Sequence, residues 1–317
     1  SMNELFRRLK LKPGLSLEIG FASLFANILA LATSLFVIQV LNRYVAHGID
    51  GTLVTLTSGV LLAIALEYAF RRVRMRLARA ISAGPDQNIA SAGFNVLLKA
   101  RAGALERIAQ GQRQQIVSAT ASIEKAFGAG NIGAVYDVPF ALLFIGVLFL
   151  LSPTLSGVVC FFVVAIFILG TLSARRLQKD TRGLLQASGS SNALIRSATG
   201  EIDTVRTFNA ASFLGKLWQQ QLQKAQGLRR AMETRQGGTQ IIVQSATALM
   251  SVLVVSIGAT LVVSGDLDVG AMIGANILGA RALAPISRFA QLGATFAEAS
   301  ESLGILREFA KLPLEQE

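Results

Sequence analysis

Six long apolar segments alternate with polar stretches along the chain. They fall at about 18–41, 52–70, 134–151, 154–173, 241–264 and 269–289. Because a helix needs about 20 apolar residues to cross roughly 30 Å of hydrocarbon, each segment predicts a transmembrane helix. The joins after spans one, three and five are very short, whereas those after spans two and four each contain about 60 residues. An even number of spans places both termini on the same side of the membrane.

The two long connections are predicted to be helical hairpins. They are rich in Ala, Leu, Gln, Arg and Lys and contain few turn signals, which favours helix over disorder. An arm of about 25 residues extends roughly 35 to 40 Å from the membrane. Gly84-Pro85 predicts a kink or a helix restart in the first outgoing arm, since proline lacks an N–H group and clashes with the preceding turn. Gly103 and Gly111 bracket the expected first turn, and 200–208 lies near the second.

Composition supports a membrane protein. Hydrophobic residues make up 52% of the chain and charged residues 15%, against about 25% charged residues in soluble domains. The net charge is +11, and basic residues are concentrated in the long connections, with ten in 71–133 and eleven in 174–239, whereas the short loops contain only Arg43. By the positive-inside rule, both termini and both hairpins are cytoplasmic. Because the charges are dispersed between apolar blocks, no nucleic-acid partner is predicted.

Small residues at four-residue spacing, as in Gly270 and Gly274, predict close packing between spans, because they let helix backbones approach in lipid. Gly128, Gly130 and Gly133 suggest the same at the start of span three.

The sequence shows no catalytic signature. It contains no G-x-x-x-x-G-K-[ST] phosphate loop, no H-E-x-x-H and no G-x-S-x-G. One cysteine, Cys160, and one histidine, His47, allow neither an intrachain disulfide nor a His/Cys metal cluster. The chain alone is therefore predicted not to be an enzyme, with no catalytic residue, metal site or cofactor of its own.

The ionisable residues within the apolar segments that are candidates for a transport path are Glu67, Asp137, Arg281 and Arg288. Such residues are costly in lipid, but four near the cytoplasmic side are too few for a proton relay. For Asp137, a charge at the start of a helix that begins at Pro139 and a role in a transport path are equally plausible. The basic cluster Arg71, Arg72, Arg74 and Arg76 is interpreted as an anchor at the lipid headgroups.

Local sequence resembles a known family. The stretches 27–40 in span one, 136–144 in span three, and 265–273 followed by 277–285 are similar to type I secretion ABC transporters, the permease/ATPase proteins that export RTX-type proteins. The resemblance implies an all-α ABC exporter (type I exporter) transmembrane domain. Residues 1–16 would be a cytoplasmic N-terminal segment, 17–312 the transmembrane domain, and 313–317 the start of a linker to an ATPase domain.

The family implies a function and partners. A homodimer would enclose a path for a polypeptide in the inner membrane of a bacterium, and ATP and Mg would be bound by an ATPase domain of the same chain or a separate subunit. A periplasmic adaptor and an outer-membrane channel would complete the system. A scaffold or regulator that kept the exporter fold without transport, and an exporter of lipids or small molecules, remain as alternatives.

The resemblance also implies functional residues. The second coupling helix corresponds to 200–208, with an ATPase-docking role for Glu201, Asp203, Val205, Arg206 and Phe208. By position, the first would fall within 112–125 and include Arg113, Gln115 and Glu124.

Five residues are candidates for the translocation path: Asn27, Gln39, Asn42, Asp137 and Arg281. For Asn27, Gln39 and Asn42, hydrogen bonding between helices is an equally good explanation. Arg281 is expected to face the dimer interior or to pair with an acid such as Glu67 or Asp137.

Overall fold

The computed structural model describes residues 2–45, 50–99 and 110–309, and within them the chain is helical with no strand. The α-helices are α1 Met2–Leu11, α2 Pro13–Gln39, α3 Asp50–Lys99, α4 Gln110–Ala126, α5 Ala129–Asp137, α6 Ala141–Leu151, α7 Pro153–Gly200, α8 Ile202–Thr207, α9 Ala211–Val263, α10 Val269–Gln291 and α11 Gly293–Phe309. A π-helical turn, Val40–Tyr44, follows α2, and a 3-10 turn, Val138–Phe140, separates α5 from α6.

Six helical stretches are long and apolar enough to cross a membrane: Pro13–Tyr44, Gly51–Val96, Ser118–Leu151, Pro153–Gly200, Ala211–Val263 and Val269–Phe309. Each contains one of the segments identified from hydropathy, so the six predicted spans and the all-α fold class are confirmed. The observed helices are longer than the apolar segments because the same helices continue into the polar connections.

Two details of the predicted helices differ in the structure. The α-helix α3 continues through Pro85, so the predicted restart at Asp86 is wrong. The third span is instead interrupted at Pro139, where three residues adopt the 3-10 turn between α5 and α6. Proline lacks the N–H that an α-helix requires in its interior, but this alone does not decide the outcome, because α3 and α10 continue through Pro85 and Pro285.

The N-terminal segment is folded against the rest of the protein. Its helix α1 buries Leu5 and Arg8, and α2 begins at Pro13, a residue type favoured at a helix start. Arg8 Nη1 lies 2.7 Å from Asp86 Oδ1, an ion pair without hydrogen-bond alignment, and the guanidinium carbon lies 4.3 Å from the ring centre of Phe127. Helix α1 therefore contacts both the polar arm of α3 and the start of the third span.

The second long hairpin consists of the polar ends of α7 and α9 with α8 at its turn. From residue 173 to residue 200, α7 extends roughly 40 Å beyond the apolar segment. Asn209, with φ +50°, ends the turn. On the opposite side of the membrane, the turn between α9 and α10 contains Gly265 at φ +81°, a conformation that glycine adopts without a Cβ clash.

The spans pack through two apolar cores. One lies among spans three to six and includes Phe144, Leu155, Met250 and Leu278. The other lies among α1, α2, α3, α4, α5 and α11, around Phe127.

Glycines bring several spans into close contact. A Cβ on Gly270 or Gly274 of α10 would overlap the end of span one at Ile38, which confirms the packing predicted from their spacing. A Cβ on Gly170 would lie 2.6 Å from Ala290 Cβ, so α7 and α10 also cross at a glycine. Gly130 has open space around it, so the same prediction is wrong there.

Candidate functional site

A polar cavity of about 430 Å³ lies between spans one, two, three and six. We call its polar lining the charged pocket: Asn27, Glu67, Arg71, Arg74, Asp137, Arg281 and Arg288. Three of these come from α3 at positions i, i+4 and i+7, which places them on one face of that helix. The sequence-predicted path residues Asn27, Asp137 and Arg281 are thus brought together.

Asp137 is the centre of the charged pocket. Its carboxylate Oδ1 accepts hydrogen bonds from Arg74 Nη1 at 2.5 Å and from Asn27 Nδ2 at 2.9 Å. Only 7% of the Asp137 side chain and 10% of the Arg74 side chain are exposed. Asp137 is the last residue of α5 and directly precedes the 3-10 turn at Pro139, so it lies at the start of the second part of span three, as the helix-start interpretation expects. Its side chain makes no capping hydrogen bond there, and Arg74 holds the carboxylate.

Arg74 is the functional residue that the sequence interpretation missed. The cluster at 71–76 was interpreted as a headgroup anchor, yet Arg74 is buried and also donates a 3.3 Å hydrogen bond to Ser23 Oγ. Gly133 leaves the space for it, because a Cβ there would lie 3.3 Å from the Arg74 guanidinium. Two features of the sequence indicate a buried role for Arg74. It lies at i+7 from Glu67 on the face that also carries Arg71, and span three contains an acid.

The rim of the charged pocket is formed by Glu67 with the remaining arginines. Glu67 Oε1 accepts a 2.8 Å hydrogen bond from Arg71 Nε and lies 3.8 Å from Arg281 Nη1. The predicted pairing of Arg281 with an acid is therefore confirmed, with Glu67 as the partner. Arg288 forms no ion pair or hydrogen bond with any part of the chain that the structure describes.

The charges of the pocket do not cancel. Four guanidinium groups face two carboxylates, which leaves two positive charges. In a membrane interior, where the dielectric constant is low, such an excess attracts an anionic group of a bound molecule. Across residues 2–45, 50–99 and 110–309, no group of three or more His, Cys, Asp or Glu side chains could hold a metal ion.

Gln39 and Asn42 lie apart from the charged pocket. They are 12 and 15 residues from Asn27 along the first span, roughly 20 Å towards the external side. Asn42 Nδ2 donates a 3.4 Å hydrogen bond to Asp268 Oδ2 of the external turn, which fits the interhelical interpretation for this residue. The Gln39 side chain is exposed at the end of α2.

The tip of the second hairpin presents apolar side chains to water. Phe208 is 77% exposed and Ile202 is 46% exposed, whereas Val205 is half-buried. Glu201, Asp203 and Arg206 are exposed around them. Large exposed apolar groups with a polar surround are typical of a contact surface for another protein.

The predicted first coupling residues lie on α4, which is one continuous helix. Arg113 and Gln115 are near its start, and Glu124 is in its last turn, exposed, beside buried Ile123. At this end, Ser122 Oγ donates a 2.8 Å hydrogen bond to Glu298 Oε1 of α11. Gly103, expected at the turn, lies outside the described residues.

The family model described as the ABC transporter transmembrane region matches residues 16–279, more than half of the chain. The chain belongs to this family. The matched residues include the elements of the charged pocket up to α10 and the whole of the hairpin tip.

Curated relatives in this family are named for translocation or secretion. The chain is 24% identical to the exotoxin translocation ATP-binding protein PaxB of Pasteurella aerogenes, over 94% of this chain and 42% of the relative. It is 24% identical to the type I secretion system ATP-binding protein PrsD of Rhizobium meliloti, over 84% of this chain and 46% of the relative. It is 26% identical to the leukotoxin translocation ATP-binding protein LktB of Mannheimia haemolytica, over 95% of this chain and 42% of the relative. The chain therefore spans less than half the length of these relatives.

Proposed function

We propose that the chain is the transmembrane half of an ATP-driven protein exporter, working as a homodimer in the inner membrane of a bacterium with both termini in the cytoplasm. The observation that carries the proposal is the combination of six spans with a helical tip roughly 40 Å beyond the membrane that exposes Phe208. The relatives' names, which include exotoxin and leukotoxin translocation, support a polypeptide substrate.

The hairpin tip docks on an ATP-binding domain, which supplies ATP and Mg. Phe208 enters an apolar groove of that domain, and Glu201, Asp203 and Arg206 form the polar rim around it, while Val205 supports the turn from within.

Arg113 and Gln115 belong to the first docking surface. Glu124 is 9 to 11 residues further along α4, roughly 15 Å nearer the membrane, and contributes less to docking.

Long helices connect the docking surfaces to the charged pocket. The helix α3 carries Glu67, Arg71 and Arg74 and continues to Lys99 beside the first turn, while α7 and α9 cross the membrane boundary unbroken. When ATP brings two ATP-binding domains together, the hairpins move as rigid bodies and change the access of the pocket from one side of the membrane to the other.

A polypeptide passes along a path that includes the charged pocket and, at the external end, Gln39 and Asn42. The positive excess of the pocket holds acidic groups of the substrate, and Asn27 offers an amide to the same region. A periplasmic adaptor protein and an outer-membrane channel receive the polypeptide beyond the inner membrane.

Docking is tested by measuring the affinity of the transporter's ATP-binding domain for the purified chain and for Phe208→Ala. We expect at least a tenfold loss of affinity, since a central aromatic anchor typically contributes 2 kcal/mol or more. Thermal stability should stay unchanged because Phe208 is 77% exposed. Phe149→Ala, a similar change at a 58% exposed residue in span three, is the control. Equal affinities of Phe208→Ala and the unaltered chain would contradict the docking role.

The transported substance is tested in the assembled transporter reconstituted in lipid vesicles. Stimulation of ATP hydrolysis by a secreted polypeptide, with its appearance inside inverted vesicles, supports protein export. Stimulation by a lipid or a small molecule instead would identify a different exporter. An ATP-binding domain that binds without any stimulated hydrolysis would identify a scaffold or regulator.

A further inference from the structure

A second cavity, of about 690 Å³, opens between α7 and α9 on the cytoplasmic side of the membrane. We call six of its lining residues the inner groove: Leu169, Leu172 and Ile242 towards the membrane, and Arg176, Lys179 and Arg235 towards the cytoplasm. We propose that the inner groove binds an anionic phospholipid of the cytoplasmic leaflet, with the phosphate at the basic end and an acyl chain along the apolar end. The proposal is independent of the transported substance.

The membrane boundary crosses the inner groove. Counting about 20 residues, or 30 Å, from the external start of α7 at Pro153 places the end of the hydrocarbon near residue 173. The same length counted inward from Val263, the external end of α9, ends near residue 243, next to Ile242. Arg176 and Lys179 then lie roughly 5 and 9 Å beyond the hydrocarbon, at the depth of the headgroups.

A hydrogen bond fixes the two helices at this depth. Ser173 Oγ and Thr239 Oγ1 are 2.9 Å apart, and both residues line the groove. Below them, the Asp180 carboxylate pairs with Arg235, which joins the arms again. Polar contacts therefore join the two helices at two levels of the groove.

The basic end of the groove has charge available for a ligand. Asp180 neutralises Arg235, whereas Arg176 and Lys179 form no ion pair or hydrogen bond with the residues that the structure describes. Two positive charges thus remain at headgroup depth. Basic pockets between spans on the cytoplasmic side favour anionic headgroups, because those lipids concentrate negative charge at this surface.

The apolar end distinguishes a lipid from a soluble anion. Leu172 and Ile242 are each 50% exposed at the hydrocarbon boundary, where an acyl chain would cover them. A free phosphate would satisfy the cations and leave this wall uncovered. The cavity volume falls within the range of small-molecule sites, about 300 to 1,000 Å³, and accommodates a headgroup with the upper part of its chains.

The test compares phosphatidylglycerol with phosphatidylcholine of the same acyl chains, titrated into the purified full chain in neutral detergent and followed by native mass spectrometry. We expect tighter binding of phosphatidylglycerol. The double variant Arg176→Ala/Lys179→Ala should bind it roughly 30-fold more weakly, which is the change expected from two surface cations. Phosphatidylcholine binding should not change.

The matched control is Arg229→Ala/Arg230→Ala, which removes the same charge from exposed positions of α9 outside the groove and should leave phosphatidylglycerol binding unchanged. If the test variant does not fold, Lys179→Ala, at an exposed residue, should still bind roughly fivefold more weakly.

Three results would overturn the proposal. The first is an equal effect of the test and control variants. The second is displacement of phosphatidylglycerol by inorganic phosphate at the same concentration, which would indicate a soluble-anion site. The third is a change in the monomer–dimer ratio without a change in lipid binding, which would indicate that a second copy covers the groove.

Discussion

Replacing Asp137 by Asn removes the charge that neutralises Arg74 while keeping the shape of the side chain. Arg74 Nη1 and Asp137 Oδ1 are 2.5 Å apart, and at most 10% of either side chain is exposed. Little water can therefore solvate the Arg74 guanidinium once the Asp137 charge is removed. Removing one member of a buried ion pair costs about 3 to 5 kcal/mol. Because the Asn oxygen can still accept a hydrogen bond, we expect the free energy of unfolding to fall by an amount near the lower limit, about 3 kcal/mol.

The loss is measured as the free energy of unfolding in mixed micelles with increasing dodecyl sulfate, followed by circular dichroism. Arg74→Gln should lower the free energy of unfolding by a similar amount, because the buried Asp137 carboxylate then keeps only the more distant Arg71, whose Nη1 lies 3.9 Å from Asp137 Oδ2. The double variant Arg74→Gln/Asp137→Asn should lose less than the sum of the two single changes, since two neutral amides can bond to each other. Asp203→Asn, on the exposed hairpin tip, should change stability by less than about 0.5 kcal/mol.

Either of two results would contradict a buried, coupled ion pair between Arg74 and Asp137. One is an Asp137→Asn protein as stable as the unaltered chain. The other is a double variant whose loss equals the sum of the single losses, since independent sites add and coupled partners do not.

Two further changes test the packing. Gly170→Ala should destabilise the protein by about 1 to 3 kcal/mol in thermal unfolding, because its Cβ would lie 2.6 Å from Ala290 Cβ. Gly157→Ala on the same helix has open space and should be neutral or stabilising, and equal effects of the two would refute the close crossing. Arg8→Met should leave Asp86 without its cation, so that a protease releases α1 faster than from the unaltered chain. The double variant Arg8→Met/Asp86→Asn should recover the protection of α1 against the protease. Unchanged proteolysis of Arg8→Met would contradict the anchoring of α1.

The two long polar connections differ in where they contact the rest of the chain. The first arm is held on three sides, by α1 through Arg8 and by α4 and α11 through the core around Phe127. The second hairpin, by contrast, ends in a tip whose Phe208 has no apolar cover within the described chain.

The sequence by itself determined the spans, the two hairpins and the family resemblance. Hydrophobic length decides whether a helix can cross a bilayer, and residues 241–264 or 269–289 meet that condition without reference to any other part of the chain. The packing of Gly270 and Gly274 was also accessible, because small-residue spacing is local along one helix.

Only the tertiary structure decided how the charges pair. Arg74 is 63 residues from Asp137, and Asn27 is 110 residues from it, so no local pattern distinguishes a buried partner from a headgroup anchor. The same holds for Arg8, which the sequence assigned to a polar segment and the structure buries against Asp86 and Phe127. Periodicity specifies which face of a helix is apolar, but the free energy of a buried charge depends on which distant group meets it, and that is set by how the helices pack.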